Sequence, residues 1–204
     1  MNSKSVVVLG AGGHAKVTLR VLELLDYDIL GVYDDDPGKH GKLILDYVVR
    51  GSLEDALKAD CKNAVLAIGD NATRWRVAAR FPDLQWITAI HPNAWVDPSA
   101  SIGIGTVIFA GAVIQADTTI GKHAIINTCA SVDHDCVLGN YTHIAPGAHL
   151  AGQVIVGIGG FVGIGAVVIP SRRIGDWAVI GAGGVVVRDV PDHVIAMGVP
   201  ARSR

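Results

Sequence analysis

Residues 102–132 read IGIGTVIFAGAVIQADTTIGKHAIINTCASV, and every sixth position from Ile102 onward carries Ile or Val. The same period continues in both directions without a break, from Val96 to Val186. A six-residue repeat is typical of a β-helix, in which each repeat forms one short strand of a coil. The sixteen aliphatic anchors are Val96, Ile102, Ile108, Ile114, Ile120, Ile126, Val132, Leu138, Ile144, Leu150, Val156, Val162, Val168, Ile174, Ile180 and Val186.

The positions around the anchors are also patterned. A small residue often stands two positions before an anchor, as at Ala112, and Gly often follows it, as at Gly121. Small side chains suit the corners of a narrow prism, and we expect the glycines to supply the backbone angles that its turns need. Three repeats make a triangular coil of about eighteen residues, so residues eighteen apart stack at about 4.8 Å. Residues 96–187 then form about five coils.

Composition restricts the class of protein. The chain has 204 residues, of which 50% are hydrophobic and 5% aromatic, so its core consists mainly of Val, Ile and Ala. The formal net charge of -2 argues against general nucleic-acid binding. No charged leader with an apolar run and no apolar stretch of about 20 residues is present, so we expect a cytoplasmic protein without membrane insertion. Cys136 falls at a small inward position, and we expect it to pack in the core.

The N-terminal part has a different rhythm, in which strand and helix patterns alternate. Such alternation implies a parallel sheet whose loops gather at the carboxyl ends of the strands. We therefore predict a Rossmann-like βαβαβ domain over residues 1–90 and a β-helix with a C-terminal tail over residues 91–204. Strands are expected at 5–9, 29–33 and 64–68, a further one at 85–90, and helices after residue 14, at 52–58 and at 72–80.

The loop after the first strand has two interpretations. Gly10, Gly12 and Ala15 match a relaxed dinucleotide fingerprint, and Asp34 and Asp35 lie where carboxylates hold ribose hydroxyls. One mononucleotide half fits this length of chain, so a mononucleotide or nucleotide-sugar diphosphate is favoured over a dinucleotide. Its phosphates would meet the amides at the first helix N-terminus. The alternative is a glycine turn that only closes the strand onto the helix.

Polar residues cluster in one window of the repeats. His134 is followed by Asp135, and an imidazole beside a carboxylate can act as a base near neutral pH. Gly152 lies one coil above His134, where its amide can bind an acyl carbonyl. His143 and His149 are six apart and so fall on different faces, and no metal site is expected. The window comprises Asn127, Asp133, His134, Asp135, Asn140, Tyr141, His143 and His149.

Five segments together resemble the bacterial nucleotide-sugar acetyltransferases. This family includes the 4-amino-sugar N-acetyltransferases of bacillosamine and perosamine biosynthesis and the sialic acid O-acetyltransferases. The resemblance covers the whole chain and implies a left-handed β-helix and a homotrimer with active sites between subunits. The segments are GAGGHA at 10–15, YDDD at 33–36, AIGDN at 67–71, INTCASVDHDC at 126–136 and GVPAR at 198–202.

The resemblance also implies roles for individual residues. His134 would be the general base and Asp135 would orient it, while Gly152 would bind the thioester oxygen of acetyl-CoA. The cosubstrate would pass Ile164 and Ala182 toward Pro200. The residues implied for the nucleotide sugar are Gly10, Gly12, Gly13, His14, Asp34, Asp35 and Asn71 in the first domain, and Asn127 and His143 beside the acceptor amine. Candidates for the phosphates of CoA are Arg172, Arg173, Arg188 and Arg202.

The function that follows is acetyl transfer from acetyl-CoA to the 4-amino group of a nucleotide-linked deoxy amino sugar, with a UDP-linked sugar expected. Three alternatives stay open from the sequence. The nucleotide can be GDP or dTDP, the reaction can be O-acetylation of sialic acid or another sugar hydroxyl, or the protein can be a binding scaffold that does not need His134 as a base.

Overall fold

The computed structural model describes residues 4–203 of the chain. Contacts divide the chain into two compact units, Met1–Pro92 and Asn93–Arg204. The sequence predicts this division two residues earlier, after residue 90.

Unit 1 is built on a parallel sheet, as predicted. Its four strands run in the order β2-β1-β5-β6. All five residues of the central strand β1 are buried, which fits a continuous apolar run in a strand covered on both faces. The elements are β1 (Ser5–Leu9), α1 (Gly13–Leu24), β2 (Asp28–Tyr33), β3 (Leu43–Ile44), β4 (Tyr47–Val48), β5 (Asn63–Leu66), α2 (Asn71–Arg80), β6 (Gln85–Trp86) and β7 (Ala89–Ile90).

Four details of unit 1 differ from the sequence prediction. The helix expected at 52–58 is a short 3-10 helix at Glu54–Lys58. The strand expected at 85–90 is divided, because only β6 pairs with β5 and β7 is not part of this sheet. The antiparallel hairpin of β3 and β4 was not anticipated. A second 3-10 helix, Pro37–Lys39, follows β2.

Unit 2 is a parallel β-solenoid of short strands stacked on three faces. The first face contains β10, β13, β16, β19 and β22, the second β8, β11, β14, β17, β20 and β23, and the third β9, β12, β15, β18 and β21. Their ranges are β8 (Trp95–Val96), β9 (Ser101–Ile102), β10 (Val107–Ile108), β11 (Val113–Ile114), β12 (Thr119–Ile120), β13 (Ile125–Ile126), β14 (Ser131–Val132), β15 (Val137–Leu138), β16 (His143–Ile144), β17 (His149–Leu150), β18 (Ile155–Val156), β19 (Phe161–Val162), β20 (Val167–Val168), β21 (Arg173–Ile174), β22 (Val179–Ile180), β23 (Val185–Val186), β24 (Ile195–Met197) and β25 (Arg202–Ser203).

The anchors form the core of this solenoid. Ile126 pairs with Ile108 below and Ile144 above, which confirms the predicted eighteen-residue stacking. From Ile108 to Val186 every anchor is at most 2% exposed. Cys136 is fully buried among them, and burial raises the pKa of its thiol. The six-residue period therefore marks the inward row of side chains.

The glycines that follow the anchors were expected to supply the backbone angles of the turns, and this expectation was wrong. These glycines do not have left-handed backbone angles; those occur two residues further on, at positions such as His123 and Tyr141. A Cβ on Gly121 would lie 2.6 Å from the backbone nitrogen of Asn140 in the next coil. Glycine is needed after the anchor because adjacent coils approach too closely for a side chain.

The solenoid also extends beyond the last predicted anchor. Val179 pairs with Ile195 and Ile174 bridges to Val190, so the register falls from eighteen residues to sixteen. The final strand β25 runs antiparallel to β24. The period of six is lost after Val186 because this last coil is two residues shorter.

Candidate active site and nucleotide cleft

A cleft of about 640 Å³ opens in unit 1 at the carboxyl ends of the strands. Ligands of open α/β sheets bind at this edge. Six of the predicted residues line it, namely Gly10, Gly12, Gly13, His14, Asp34 and Asp35.

The glycine loop shapes one wall of the cleft. Gly10 has a φ of 110°, and a Cβ there would lie 2.8 Å from Ile68 Cγ1, so a side chain does not fit. Gly12 and Gly13 have no heavy atom within 4 Å of an added Cβ, and α1 begins here without a side-chain cap. The start of α1 thus has open space beside it and no side-chain cap, which suits an anion.

The two aspartates after β2 are bonded within the wall of the cleft. Asp34 Oδ2 accepts hydrogen bonds from the Ala11 N–H at 2.7 Å and from Lys39 at 2.9 Å. Burial opposes ionisation, yet hydrogen bonds from the Asp36 and Ala11 amides and from Lys39 lower the pKa of Asp34. Asp34 thus fixes the position of the glycine loop, and its contact with a ribose stays a prediction.

Asp35 organises the opposite side of the cleft. Its Oδ1 accepts from the Leu53 N–H at 3.0 Å, and its Oδ2 lies 2.7 Å from Arg80. Burial opposes ionisation here too, but the hydrogen bond from Arg80 lowers the pKa of Asp35. This carboxylate holds the end of α2 against the loop that carries Leu53.

His14 and Asn71 differ in their placement. His14 lines the cleft, and burial together with the charge of Arg74 lowers its pKa to about 4, so the ring is neutral at pH 7. Asn71 is not among the residues that line the cleft. It is buried at the start of α2, where its Oδ1 accepts from Arg74 at 2.8 Å. Its role in substrate binding stays a prediction.

The sequence reasoning missed the cations of the cleft, Lys39, Arg76 and Arg80. Lys39 and Arg80 are paired with Asp34 and Asp35. Arg76 donates to the Thr73 hydroxyl at 2.9 Å and forms no ion pair within residues 4–203. The spacing of Thr73, Arg76 and Arg80 on α2 was the available signal, because residues three and four apart share a helix face.

The second site lies on unit 2, at the corner between the second and third faces. The His134 Nδ1 is 2.7 Å from the Asp135 Oδ2, and both side chains are about half exposed. Neighbouring side chains meet here because Asp135 has a left-handed φ of 58°. A hydrogen bond from Nδ1 to Asp135 raises the pKa of His134 and leaves Nε2 as the basic nitrogen of the neutral ring.

Gly152 lies directly above this imidazole. A Cβ on Gly152 would be 2.6 Å from both Cε1 and Nε2 of His134. The carbonyl of Gly152 accepts from Ser171, whereas its N–H has no acceptor among residues 4–203. The corner thus places the imidazole next to a backbone donor one coil higher, an arrangement that suits acyl transfer to an amine.

Asn127 and His143 form a separate pair. The Asn127 Oδ1 accepts from the Thr128 N–H at 2.8 Å, so its Nδ2 is the donor toward His143 Nε2 at 3.0 Å. His143 is 8% exposed and contacts the Phe161 ring edge-on at 5.1 Å. Asn127 follows β13 at the corner between the first and second faces, whereas His134 follows β14 at the next corner.

The predicted cosubstrate residues are divided between the same two corners. Gly152 lies beside His134. The exposed Ile164 and Ala182 lie at the corner of Asn127, where the Gly183 N–H bonds to the Ile164 carbonyl. Pro200 is close to that corner, because the flanking Gly198 and Ala201 bond to Val185. A single chain therefore presents the predicted residues on two edges separated by the second face.

The remaining predictions concern charge and metal. Arg172 lies 3.6 Å from Asp189 and Arg173 lies 3.9 Å from Asp192, and their contact with CoA stays a prediction. His143 and His149 lie on different faces. Within residues 4–203, no three His, Cys, Asp or Glu side chains are grouped so that they could hold a metal ion. No helix in that range is long and apolar enough to cross a bilayer.

A parallel α/β unit joined to a β-solenoid with a His-Asp corner defines the class, an acyltransferase of the hexapeptide-repeat type. Residues 5–81 match the PglD N-terminal domain. The chain is 42% identical to PerB from Caulobacter crescentus, crystallised with CoA and GDP-perosamine; the match covers 98% of this chain and 97% of that one, with a TM-score of 0.93. The chain therefore belongs to the sugar N-acetyltransferases with a left-handed hexapeptide β-helix.

Two further relatives agree with this assignment. The acetyltransferase domain of PglB from Neisseria gonorrhoeae FA1090, in complex with acetyl coenzyme A, is 33% identical over 98% of this chain and 99% of that one, with a TM-score of 0.92. UDP-N-acetylbacillosamine N-acetyltransferase of Bacillus subtilis is 42% identical over 120 residues, which is 52% of each chain. The match spans 52% of the length of this Bacillus subtilis protein and 23% of the length of a second curated relative. The chain therefore spans about half or less of the curated relatives it matches.

Proposed function

We propose that this protein transfers the acetyl group of acetyl-CoA to the 4-amino group of a nucleotide-linked deoxy amino sugar. The observation that carries the proposal is the corner at His134. Its imidazole is oriented by Asp135 at 2.7 Å, and Gly152 lies beside the ring with an N–H that no group among residues 4–203 accepts. A base and an oxyanion donor in one place suit direct attack of an amine on a thioester.

The reaction needs no covalent enzyme intermediate. The uncharged amine attacks the thioester carbon, and the carbonyl oxygen becomes an oxyanion that accepts a hydrogen bond from the Gly152 N–H. His134 Nε2 takes the proton that the nitrogen loses as the C–N bond forms. The C–S bond then breaks, and the CoA thiolate receives that proton from His134, which returns the ring to its neutral form.

The nucleotide part of the substrate is assigned to the cleft of unit 1. Its diphosphate would lie against the Gly12 and Gly13 amides, where the neutral His14 adds no charge and Arg76 supplies a cation that forms no ion pair among residues 4–203. From the sequence we expect UDP. GDP is the second candidate, because PerB, whose match covers 98% of this chain, was crystallised with GDP-perosamine.

The complete site is proposed to form between copies of the chain in a homotrimer. One copy would supply the corner of His134 and Gly152, and its neighbour the corner of Asn127, Ile164 and Ala182. The supporting observation is that one prism holds these groups on different edges. Closed rings of identical subunits join two such unlike edges at every interface.

The test is acetylation of GDP-perosamine and of a UDP-linked 4-amino sugar by the His134→Ala variant. We expect kcat to fall by about 10²- to 10⁴-fold, the usual contribution of a general base. His193→Ala is the matched control, because it removes an exposed histidine of the same unit. Near wild-type turnover in His134→Ala with folding intact rejects the assigned base.

A separate melting-temperature screen with UDP, GDP and dTDP identifies the nucleotide.

A further inference from the structure

A shallow groove of about 290 Å³ lies on the second face, directly beside the His134 corner. Ser131 and Asp133 point outward from the same coil and line it, and His149 and Ala151 line it one coil higher. The small side chain of Ala151 leaves space above Asp133, because the two positions are eighteen residues apart. Ala151 is followed by Gly152, so the groove ends at the proposed acetyl-transfer position.

The wall of the groove is polar on both sides. The Ser131 hydroxyl lies 2.8 Å from His149 Nδ1. The Asp133 Oδ1 accepts the backbone N–H of His134 at 2.9 Å. Among residues 4–203 no donor reaches the other oxygen of Asp133. One carboxylate oxygen is therefore fixed to the backbone of the base, and the other is available to a ligand.

We propose that this groove receives the amine-bearing end of the acceptor sugar and that Asp133 is the positioning residue that selects an amine over a hydroxyl. The inference rests on the proposed function. Aliphatic amines are largely protonated near neutrality, since α-amino groups titrate near about 8. A carboxylate beside the base attracts an ammonium ion and gives a neutral hydroxyl no such advantage.

The proton balance is compatible with this role. The sugar arrives as R–NH3+ bound to Asp133 and releases its first proton to solvent. The resulting amine forms the C–N bond and passes its second proton to His134, which delivers it to the departing CoA thiolate. The sum is one amide, one CoA thiol and one proton in solution. Asp133 holds the nitrogen on the side of the imidazole and itself transfers no proton to CoA.

The experiment uses Asp133→Asn in the full chain, with GDP-perosamine or the UDP-linked 4-amino sugar as acceptor. Asparagine keeps an oxygen for the His134 N–H and removes the charge. We expect KM for the amino sugar to rise about tenfold, as for a lost charge-assisted hydrogen bond. The values of kcat and of KM for acetyl-CoA should stay within about twofold. Asp133→Glu should recover most of the affinity because it restores the charge.

The discriminating probe is the same nucleotide sugar with a hydroxyl in place of the amine, used as a competitive inhibitor. Its Ki should be the same in the wild-type enzyme and in Asp133→Asn. Asp117→Asn, an exposed carboxylate outside the groove, is the control for general charge effects. The inference is overturned if Asp133→Asn leaves KM for the amino sugar unchanged, or if it weakens amine and hydroxyl ligands equally. In either case His134→Ala still tests the base independently. A wild-type enzyme that acetylates neither acceptor refutes the proposed function, and the inference with it.

Discussion

Replacement of Gly152 by Ala should separate catalysis from stability. The new Cβ would lie 2.6 Å from two atoms of the His134 ring, whereas carbon contacts ordinarily begin near 3.4 Å. The ring must therefore move by about 1 Å, and it can do so because His134 is 55% exposed. A displacement of about 1 Å of a catalytic group costs about 10²-fold in rate. The fold keeps its backbone contacts, so the melting temperature should stay within about 2 °C of wild type.

The contrast is Gly121→Ala, in which the added Cβ would meet backbone of the next coil at 2.6 Å. Backbone within a stack cannot move aside, so this variant should lose about 1–3 kcal/mol of stability. Release of CoA thiol measures the rates, and thermal unfolding measures the stabilities. Full turnover in Gly152→Ala, or a loss of stability equal to that of Gly121→Ala, would show that the His134 ring is not held against Gly152.

Two further variants test the electrostatics. Asp135→Asn replaces the charged acceptor that raises the pKa of His134 with a neutral amide, so the acid-side fall in kcat/KM should move to lower pH, since the base stays neutral at lower pH. The plateau of kcat/KM should fall by about tenfold or more, because the ring loses its orientation. An acid limb that moves to higher pH in the pH-rate profile contradicts the assignment. Arg76→Gln should raise the Kd for UDP and GDP by about tenfold in calorimetry, with the exposed Lys16→Gln as control. Equal affinities in the two variants would exclude Arg76 from the phosphate site.

Most of the architecture was predictable because the six-residue repeat is regular and continues over a long part of the chain. Sixteen anchors with one spacing leave a single inward row, and the structure buries that row from Ile108 to Val186. The spacing did not reveal the short last coil, because Val190 and Ala196 take up the core positions with a register of sixteen. It also gave no reason for the glycines after the anchors, since the approach of neighbouring coils is a three-dimensional property.

The sites were predictable to a smaller extent. Adjacent residues on a strand point to opposite sides, so the contact of His134 with Asp135 depends on the left-handed corner, which the sequence does not show. Asp36 and Lys39 are close to Asp34 in sequence, whereas the other partners of Asp34 and Asp35 come from distant segments, namely Ala11, Leu53 and Arg80. Arg76 was missed because it belongs to no motif. Asp133 was part of the polar window but received no role, because the groove around it is defined by side chains on adjacent coils.

The left-handed corners have a consequence for how such a chain can change. The side chain at each corner belongs to neither the anchor row nor the glycine row, and the bond to the previous coil comes from the backbone N–H, as at Cys129 and Asp135. Corners already tolerate Asp, His, Cys, Tyr, Gln, Ser and Trp, at Asp117, His123, Cys129, Asp135, Tyr141, Gln153, Ser171 and Trp177. Substitutions that adapt a corner to a new acceptor therefore fall on different residues from those that maintain folding. A protein built this way can acquire a new specificity without a prior increase in its free energy of unfolding.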